Sequence, residues 1–275
     1  MKLAIVTDEI SFDFKEAIDF GASWRIHDFE LRNLITGRVP YITNEEQNIL
    51  LQIKEESQII ISAISPGLFK ISLQQEEQLK QELEEKIYDS FRFAEKLGTR
   101  DVIISSFRRY PKEPATNYIQ IIHILKRMIN LAERYGFRLL IENEPDHWCD
   151  TAENMANILE DIDSPYLRAY WNPSNSFVAG EIPYPYGFLA IRKFITNIHV
   201  SDVRSSHLRK PEIVPVGVGD VDWEGQFQAI MQGVNLKYIT IDTGCEPRIQ
   251  NSKKNVQMIR QILHDYELDD EHIIK

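Results

Sequence analysis

The sequence predicts a single (β/α)8 barrel, and three observations predict it. Apolar runs of strand length alternate with segments of helical period along all 275 residues. Eight such units over that length average about 34 residues each, the size of one βα repeat. Four of the runs end in a polar, metal-competent residue: Leu139-Leu140-Ile141-Glu142, Ala169-Tyr170-Trp171-Asn172, Asn197-Ile198-His199 and Ile239-Thr240-Ile241-Asp242. A buried strand has no packing need for such a group at its C-terminal end. In a parallel barrel, that end is where chemistry is assembled. Only a closed or doubly wound sheet brings four ends so distant in sequence together.

The strand candidates are 2–7, 27–32, 58–64, 101–106, 137–142, 167–172, 197–202 and 237–242. The clearest helix runs from Gln74 to Leu97, where Leu79, Leu83, Ile87 and Phe91 recur every four residues and Gly98 follows as a stop. A second runs from Asn117 to Tyr135, with Ile121, Leu125, Met128, Ile129 and Ala132 on one face and Gly136 ending it. Thr151 or Asp150 caps a short helix, and Asp222-Trp223 begins another that ends near Gly233. Alternation of this kind implies a parallel sheet with helical crossovers. No composition break marks a second domain, so residues 1–275 are expected to form one unit. The acids Glu76, Glu77, Glu82, Glu84 and Glu85 read as a solvated helix face, and Asp269-Asp270-Glu271 as a surface end.

Composition excludes several classes. The net charge of −11 argues against nucleic acid as the main partner, since a phosphate backbone needs a basic face. Two cysteines, Cys149 and Cys245, are too few for a secreted disulfide framework and favour the cytoplasm. No catalytic base partners either thiol in the sequence. The opening Met1-Lys2-Leu3-Ala4-Ile5-Val6 is too short for a signal-peptide core, and no run reaches the ~18 residues of a membrane span. The chain has neither a dinucleotide fingerprint nor a Walker pattern.

The strand ends supply the candidate chemistry. Glu142 and Glu144 share a face if the strand persists through Asn143, but Pro145 argues that it stops. Glu142 is then the last fixed inward carboxylate, with Glu144 in the loop above it. Two nearby acids suit a metal plus a base, or proton shuttling beside a carbonyl. A hydrogen-bonded loop pair is the ordinary structural explanation. His199 at a strand tip is a candidate ligand, with Asp202 orienting it or touching ligand; a satisfied core histidine is the ordinary alternative. The set Glu142, Asn172, His199 and Asp242 offers three oxygen donors and one nitrogen. That mixture fits one divalent ion of Mn, Mg, Zn or Co. Asn172 is also a natural turn residue before Pro173.

Arg204, His207, Arg209 and Lys210 form a basic loop that can grip a phosphate or carboxylate, or simply face solvent. Glu30 and Arg32 end the second strand, and Glu9 and Lys70 follow the first and third. A charged ring at one barrel mouth is what a polyhydroxy ligand needs. Trp24, Trp148, Trp171 and Phe69 are candidates for an apolar wall, though single aromatics more often pack. Loops 108–116 and 203–216 are long enough to act as lids, closing on ligand or on a second subunit of a homo-oligomer.

At these residues the chain resembles the xylose-isomerase-like TIM barrels, specifically the sugar phosphate isomerase/epimerase family. The pieces that carry the resemblance span nearly the whole length. They are Thr7-Asp8-Glu9-Ile10-Ser11, Phe29-Glu30-Leu31-Arg32, Ser65-Pro66-Gly67-Leu68-Phe69-Lys70, Ile141-Glu142-Asn143-Glu144, Trp171-Asn172-Pro173-Ser174-Asn175 with Gly180-Glu181, His199-Val200-Ser201-Asp202 and Gly217-Val218-Gly219-Asp220-Val221-Asp222-Trp223. The resemblance implies one divalent metal held by a glutamate, an aspartate, a histidine and a glutamate at these strand ends, with the two glutamates moving protons on a keto sugar. Glu142 and His199 match. Asn172 stands where aspartate is usual, Asp242 where glutamate is usual, and Ser201 where lysine is common. The first difference removes a negative charge from the metal set, and the second retracts a base.

The reading that follows is a metal-dependent isomerase or epimerase acting on a small sugar, sugar acid or related polyol. In it Glu142 and Asp242 are ligands and acid/base groups, and His199 and Asn172 complete the coordination. Glu144, Asn175, Asp202, Arg204, Glu30 and Lys70 position substrate. A sugar-binding barrel without catalysis is the alternative, motivated by Asn172 and Asp242. An abasic-site endonuclease shares the superfamily but uses a histidine-rich multi-metal site, and here only His199 sits at a suitable strand end.

Overall fold

The computed structural model describes residues 1–206 and 210–265. Eight parallel strands close into a barrel: β1 (Lys2–Val6), β2 (Asp28–Leu31), β3 (Ile60–Leu68), β4 (Asp101–Ile104), β5 (Arg138–Glu142), β6 (Leu167–Trp171), β7 (Ile195–Val200) and β8 (Tyr238–Ile241). They pair in sequence order around the ring, and β1 closes on β8 through Lys2 opposite Tyr238 and Ile5 opposite Ile241. Each predicted strand is present, with ends shifted by a few residues. The largest shift is in β3, which extends to Leu68 past an irregular register with β4.

The crossovers are α1 (Phe14–Ser23), α2 (Asn44–Ser57), α3 (76–97), α4 (Thr116–Tyr135) and α5 (Ala152–Ile162). Then come two short helices, α6 (Pro173–Val178) and α7 (Phe188–Ile191), and finally α8 (Trp223–Met231) and α9 (Arg248–Asp265). The main core lies between sheet and helices, while Ala63, Ile103, Leu140 and Tyr170 form a separate small cluster of buried side chains. Among the described residues, no helix is long and apolar enough to cross a membrane.

Local chemistry sets the element ends. Thr151, rather than Asp150, caps α5 by accepting the Asn154 N–H at 3.1 Å, and Asp222 caps α8 by accepting that of Gly225 at 2.8 Å. Gly98 and Gly136 end α3 and α4 in left-handed conformation, at φ +74° and +72°. The helix expected over 74–97 begins at Glu76 and contains one wide π turn, Glu82–Lys86. A spacing of four drifts ~40° per repeat on a helix of 3.6 residues per turn. The wide turn takes up that drift, so Leu79, Ile87 and Phe91 all stay buried. It also brings the buried Glu82 carboxylate to the Phe69 N–H at 2.6 Å, which anchors the chain beyond β3.

In the segment expected as a lid, 203–216, Asp202–Arg204 pairs antiparallel with Glu212–Val214. His207 and Arg209 of the expected basic loop, and the tail Asp269-Asp270-Glu271, lie outside the described residues. A second small pair, Asn33–Leu34 with Gly37–Arg38, follows β2.

Phe29 is fully buried between Asp28 and Glu30 on β2, and its ring packs against Gly21 of α1. A Cβ at Gly21 would lie 2.5 Å from the Phe29 ring. Gly21→Ala is therefore expected to destabilise the barrel by about 1–3 kcal/mol through overpacking. Urea unfolding measures this, and an unchanged midpoint would contradict the tight α1–β2 contact.

Candidate functional site

The strands deliver their polar ends to one mouth. Glu142 is the last residue of β5, Asn172 caps α6 directly after β6, His199 is the penultimate residue of β7, and Asp242 follows β8. His199 Nδ1 lies 2.8 Å from Glu142 Oε1. The Asn172 Nδ2–H donates to the same oxygen at 3.0 Å. One donor atom each from Glu142, His199 and Asp242 fall within 4.8 Å of one another, a candidate metal triad.

Asn172 reaches the cluster in an orientation the sequence does not disclose. Its Oδ1 accepts the Asn175 N–H at 3.0 Å as the α6 cap. The two contacts together fix which end of the amide is which. The N–H2 end faces Glu142, and the oxygen, the only atom able to ligate a cation, is engaged in capping.

Below the mouth, His199 Nε2 lies 3.0 Å from Glu30 Oε2, and the Tyr170 hydroxyl donates to that oxygen at 2.7 Å. The Tyr170 ring stacks on the imidazole at 4.0 Å between centroids. Burial acts to lower the affinity of His199 for its second proton, but Glu30 and Glu142 outweigh it and hold the pKa well above the ordinary value. Burial likewise opposes ionisation of Glu142, and the cationic imidazole reverses this, so Glu142 stays ionised. Glu142 Oε1 takes both internal contacts, whereas Oε2 has no hydrogen-bond partner among the described residues.

A second cluster sits where β8, β1 and β2 meet. Arg32, just past β2, donates from Nε to Asp8 at 3.1 Å, from Nη2 to Glu9 at 2.5 Å and from Nη1 to Asp242 at 2.9 Å. The other Glu9 oxygen accepts the Gly244 N–H at 2.6 Å, and Asn33 donates to Asp8 at 2.7 Å. Three carboxylates around one guanidinium cannot all be neutralised equally. Burial acts to raise Asp242, but Arg32 and His199 bring it down to about 2. Burial and the Asp242 charge push Glu9 up to about 7.

Several residues expected to position substrate do other work. Asp202 is fully buried and accepts four backbone N–H groups, from Val203, Gly217, Gly219 and Val221, at 2.8–3.2 Å. It organises the loop before α8, and neither oxygen is left for a ligand. Glu30 is also fully buried and reaches the site only through His199 and Tyr170. Arg204 turns outward, donating to the Val218 carbonyl at 2.8 Å. Asn175 spans the loops, its Nδ2–H donating to the Asn143 carbonyl at 2.8 Å. Lys70 and Glu144 do meet at the mouth, at 2.6 Å, and Ser105 donates to the second Glu144 oxygen. Glu144 lies in the loop beyond β5, as Pro145 implies.

The expected aromatic wall is absent among the four side chains named for it, all of which are buried. Trp24 follows α1 at the opposite end of the barrel, Trp171 donates to Gln226 and Phe69 packs on Phe107. Cys149 is buried, and burial pushes its thiol pKa well up, which disfavours the thiolate a nucleophile needs. Sequence reasoning misses Tyr170 and Asp8 and gives Arg32 no particular partner. The available signal is spacing: Arg32 lies two residues beyond Glu30, and Tyr170 two before Asn172, so each shares a strand face with a site residue.

A family model described as xylose isomerase-like TIM barrel matches residues 18–262. No curated protein matches the chain. Among solved structures, the chain is similar to the probable 3-DHS dehydratase AsbF from Bacillus anthracis, at 15% identity and a TM-score of 0.78 over 94% of this chain and 98% of that one. It is similar to an L-ribulose 3-epimerase at 14% identity and a TM-score of 0.77, covering 97% and 96%. A xylose isomerase-like TIM barrel protein from Mycobacterium smegmatis, in complex with magnesium, matches at 12% identity and a TM-score of 0.73, covering 90% and 87%. At these identities the likeness is one of fold.

Glu9 generates a pH prediction. Its pKa rises on folding from an ordinary 4.5 to about 7. The stability this confers is fully present below pH 4.5 and is lost as the pH rises through about 7. The Asp242 shift acts only near pH 2–4 and does not enter this window. In chelator, the wild type should therefore gain roughly 2–3 kcal/mol relative to Glu9→Gln between pH 8 and pH 5. Parallel stability curves for the two proteins would contradict the arrangement.

Proposed function

The chain belongs to the xylose isomerase-like TIM barrel family, and we propose that it is an enzyme moving a proton at a carbon next to the carbonyl of a small sugar or sugar derivative. The observation that carries the reading is the convergence of Glu142, His199 and Asp242 at three strand ends, with Glu142 Oε2 unengaged. Abstraction beside a carbonyl is a first step open to epimerisation, to isomerisation through an ene-diol and to elimination next to a carbonyl. The structures of like fold include an L-ribulose 3-epimerase and a probable 3-DHS dehydratase.

The donor set fits one divalent ion. Glu142, His199 and Asp242 would hold it, and Glu30 behind His199 is the carboxylate that a ligating imidazole commonly needs on its other nitrogen. A divalent ion there would supply Lewis acidity to a carbonyl and its neighbouring hydroxyl. The remaining work falls to the chain itself. Asn172 fixes Glu142 through Oε1, leaving Oε2 to accept the proton, while His199 Nδ1, which meets Glu142 in this structure, would turn to the ion. Asp242 approaches from a different side, since β6 and β7 separate β5 from β8. Arg32 holds Asp242 ionised and in place. Lys70 and Glu144 offer a donor and an acceptor to substrate hydroxyls.

A second reading is a sugar-binding barrel without turnover, and the Asn172 geometry favours it. An amide whose oxygen caps a helix contributes neither charge nor ligand atom to a cation. That reading predicts sugar binding with no exchange, and fails if the unmodified protein turns over substrate. The abasic-site endonuclease gains no support, because the metal-competent cluster found among the described residues holds one histidine.

The test is incubation with ketoses in deuterated water with added Mn²⁺. Deuterium should enter at the carbon beside the carbonyl, and Glu142→Gln should cut the rate by at least about 100-fold. No exchange with any ketose would reject the enzymatic reading. Asn172→Asp should separately tighten Mn²⁺ binding about tenfold or more, by adding a charged oxygen donor. Unchanged affinity in a direct metal titration would place the ion away from β6.

A further inference from the structure

We propose that Arg38 equips the barrel mouth to hold a carboxylate, so that the substrate is a sugar acid rather than a neutral or phosphorylated sugar. This rests on the mouth being the sugar site.

Arg38 lies in the short antiparallel pair that follows β2. Its Nε donates to the Ser65 carbonyl at 2.8 Å, and its Nη2 donates to the Ser65 hydroxyl at 2.9 Å. Ser65 belongs to β3, so the guanidinium is laid along the C-terminal part of that strand. Gly67 makes the space: its φ is +77°, and a Cβ there would come within 3.0 Å of Arg38 Nε. One edge of the fork is thereby fixed, and Nη1 has no hydrogen-bond partner among the described residues.

The cations around it are compensated: His199 lies between Glu30 and Glu142, and Arg248 pairs with Glu246. Arg32 is surrounded by Asp8, Glu9 and Asp242, and Lys70 is paired with Glu144. Among the described residues, no carboxylate pairs with Arg38. Burial and the like charge of Arg32 lower its pKa, while Glu144, Asp8 and Glu142 act in the opposite direction. Each of these charged neighbours is a residue of the mouth. Arg38 is thus a half-buried, positioned cation beside the candidate active site, with donors to spare.

The charge count selects the ligand class. One uncompensated guanidinium matches one carboxylate, whose two oxygens suit its fork of N–H groups. A phosphate near −2 would need a second free cation, and Lys70 already has Glu144 at 2.6 Å. A sugar acid would present its carbonyl to Glu142, His199 and Asp242, and its carboxylate to Arg38.

Calorimetric titration of the Mn²⁺-supplemented protein with two matched pairs tests this. The pairs are D-glucose with D-glucuronate and D-fructose with D-fructose 6-phosphate. The wild type should bind D-glucuronate at least about tenfold more tightly than D-glucose, with no comparable gain from the phosphate. That preference should vanish in Arg38→Gln and return in part in Arg38→Lys. The wild-type comparison needs no variant, so it stands even if Arg38→Gln folds poorly. Equal binding of glucose and glucuronate, or a preference that survives in a folded Arg38→Gln, would overturn the assignment while leaving the sugar site intact. A larger gain from phosphate would overturn the carboxylate in particular. Binding of none of the four would count against both this proposal and the mouth as a sugar site.

Discussion

The site depends on an imidazole held at both nitrogens by buried carboxylates. Glu142 on β5 and Glu30 on β2 grip His199 on β7 at 2.8 and 3.0 Å, and Tyr170 on β6 stacks on it and shares Glu30. Four strands are thereby tied together in the barrel interior by charged hydrogen bonds. Such a contact is strong only while complete, since loss of one partner strands a buried charge. Glu30 also has one buried oxygen, Oε1, with no hydrogen-bond partner among the described residues. The imidazole is therefore fixed by electrostatics in a low-dielectric interior, and the orientation of Glu142 follows from it.

Around that centre, the mouth divides its charge. The β8–β1–β2 side gathers Asp8, Glu9 and Asp242 about Arg32. The β3–β5 side carries Lys70 with Glu144, and Arg38 with no acid of its own. The chain as a whole is strongly acidic at −11, yet the mouth sets Arg32, Arg38 and Lys70 among its carboxylates, besides His199. An asymmetric mouth of this kind can orient a ligand end to end, which a uniformly acidic one cannot.

Much of this is legible in the sequence, and the rest is hidden for definite reasons. The eight strands and the convergence of Glu142, Asn172, His199 and Asp242 follow from apolar runs ending in polar groups, because period and topology fix where such ends lie. What a polar side chain does once there is not fixed by period. Asp202 reads as a ligand contact beside His199, but four loop amides from residues 203–221 claim it, a long-range match that no local pattern signals. Glu30 reads as part of the rim, yet lies beneath His199, because depth within a barrel depends on strand stagger. Asn172 reads as an oxygen donor, but its place before a helix turns that oxygen to capping. Arg38 carries no sequence signal, since its place against Ser65 is set by a two-strand turn and a glycine on the neighbouring β strand.

The central claim is that Glu142, His199 and Asp242 form one cation site. Anomalous diffraction from crystals soaked in Mn²⁺ tests it most directly. The account predicts a single strong peak within bonding distance of all three side chains. A peak elsewhere on the protein, or none at saturating Mn²⁺, would contradict it.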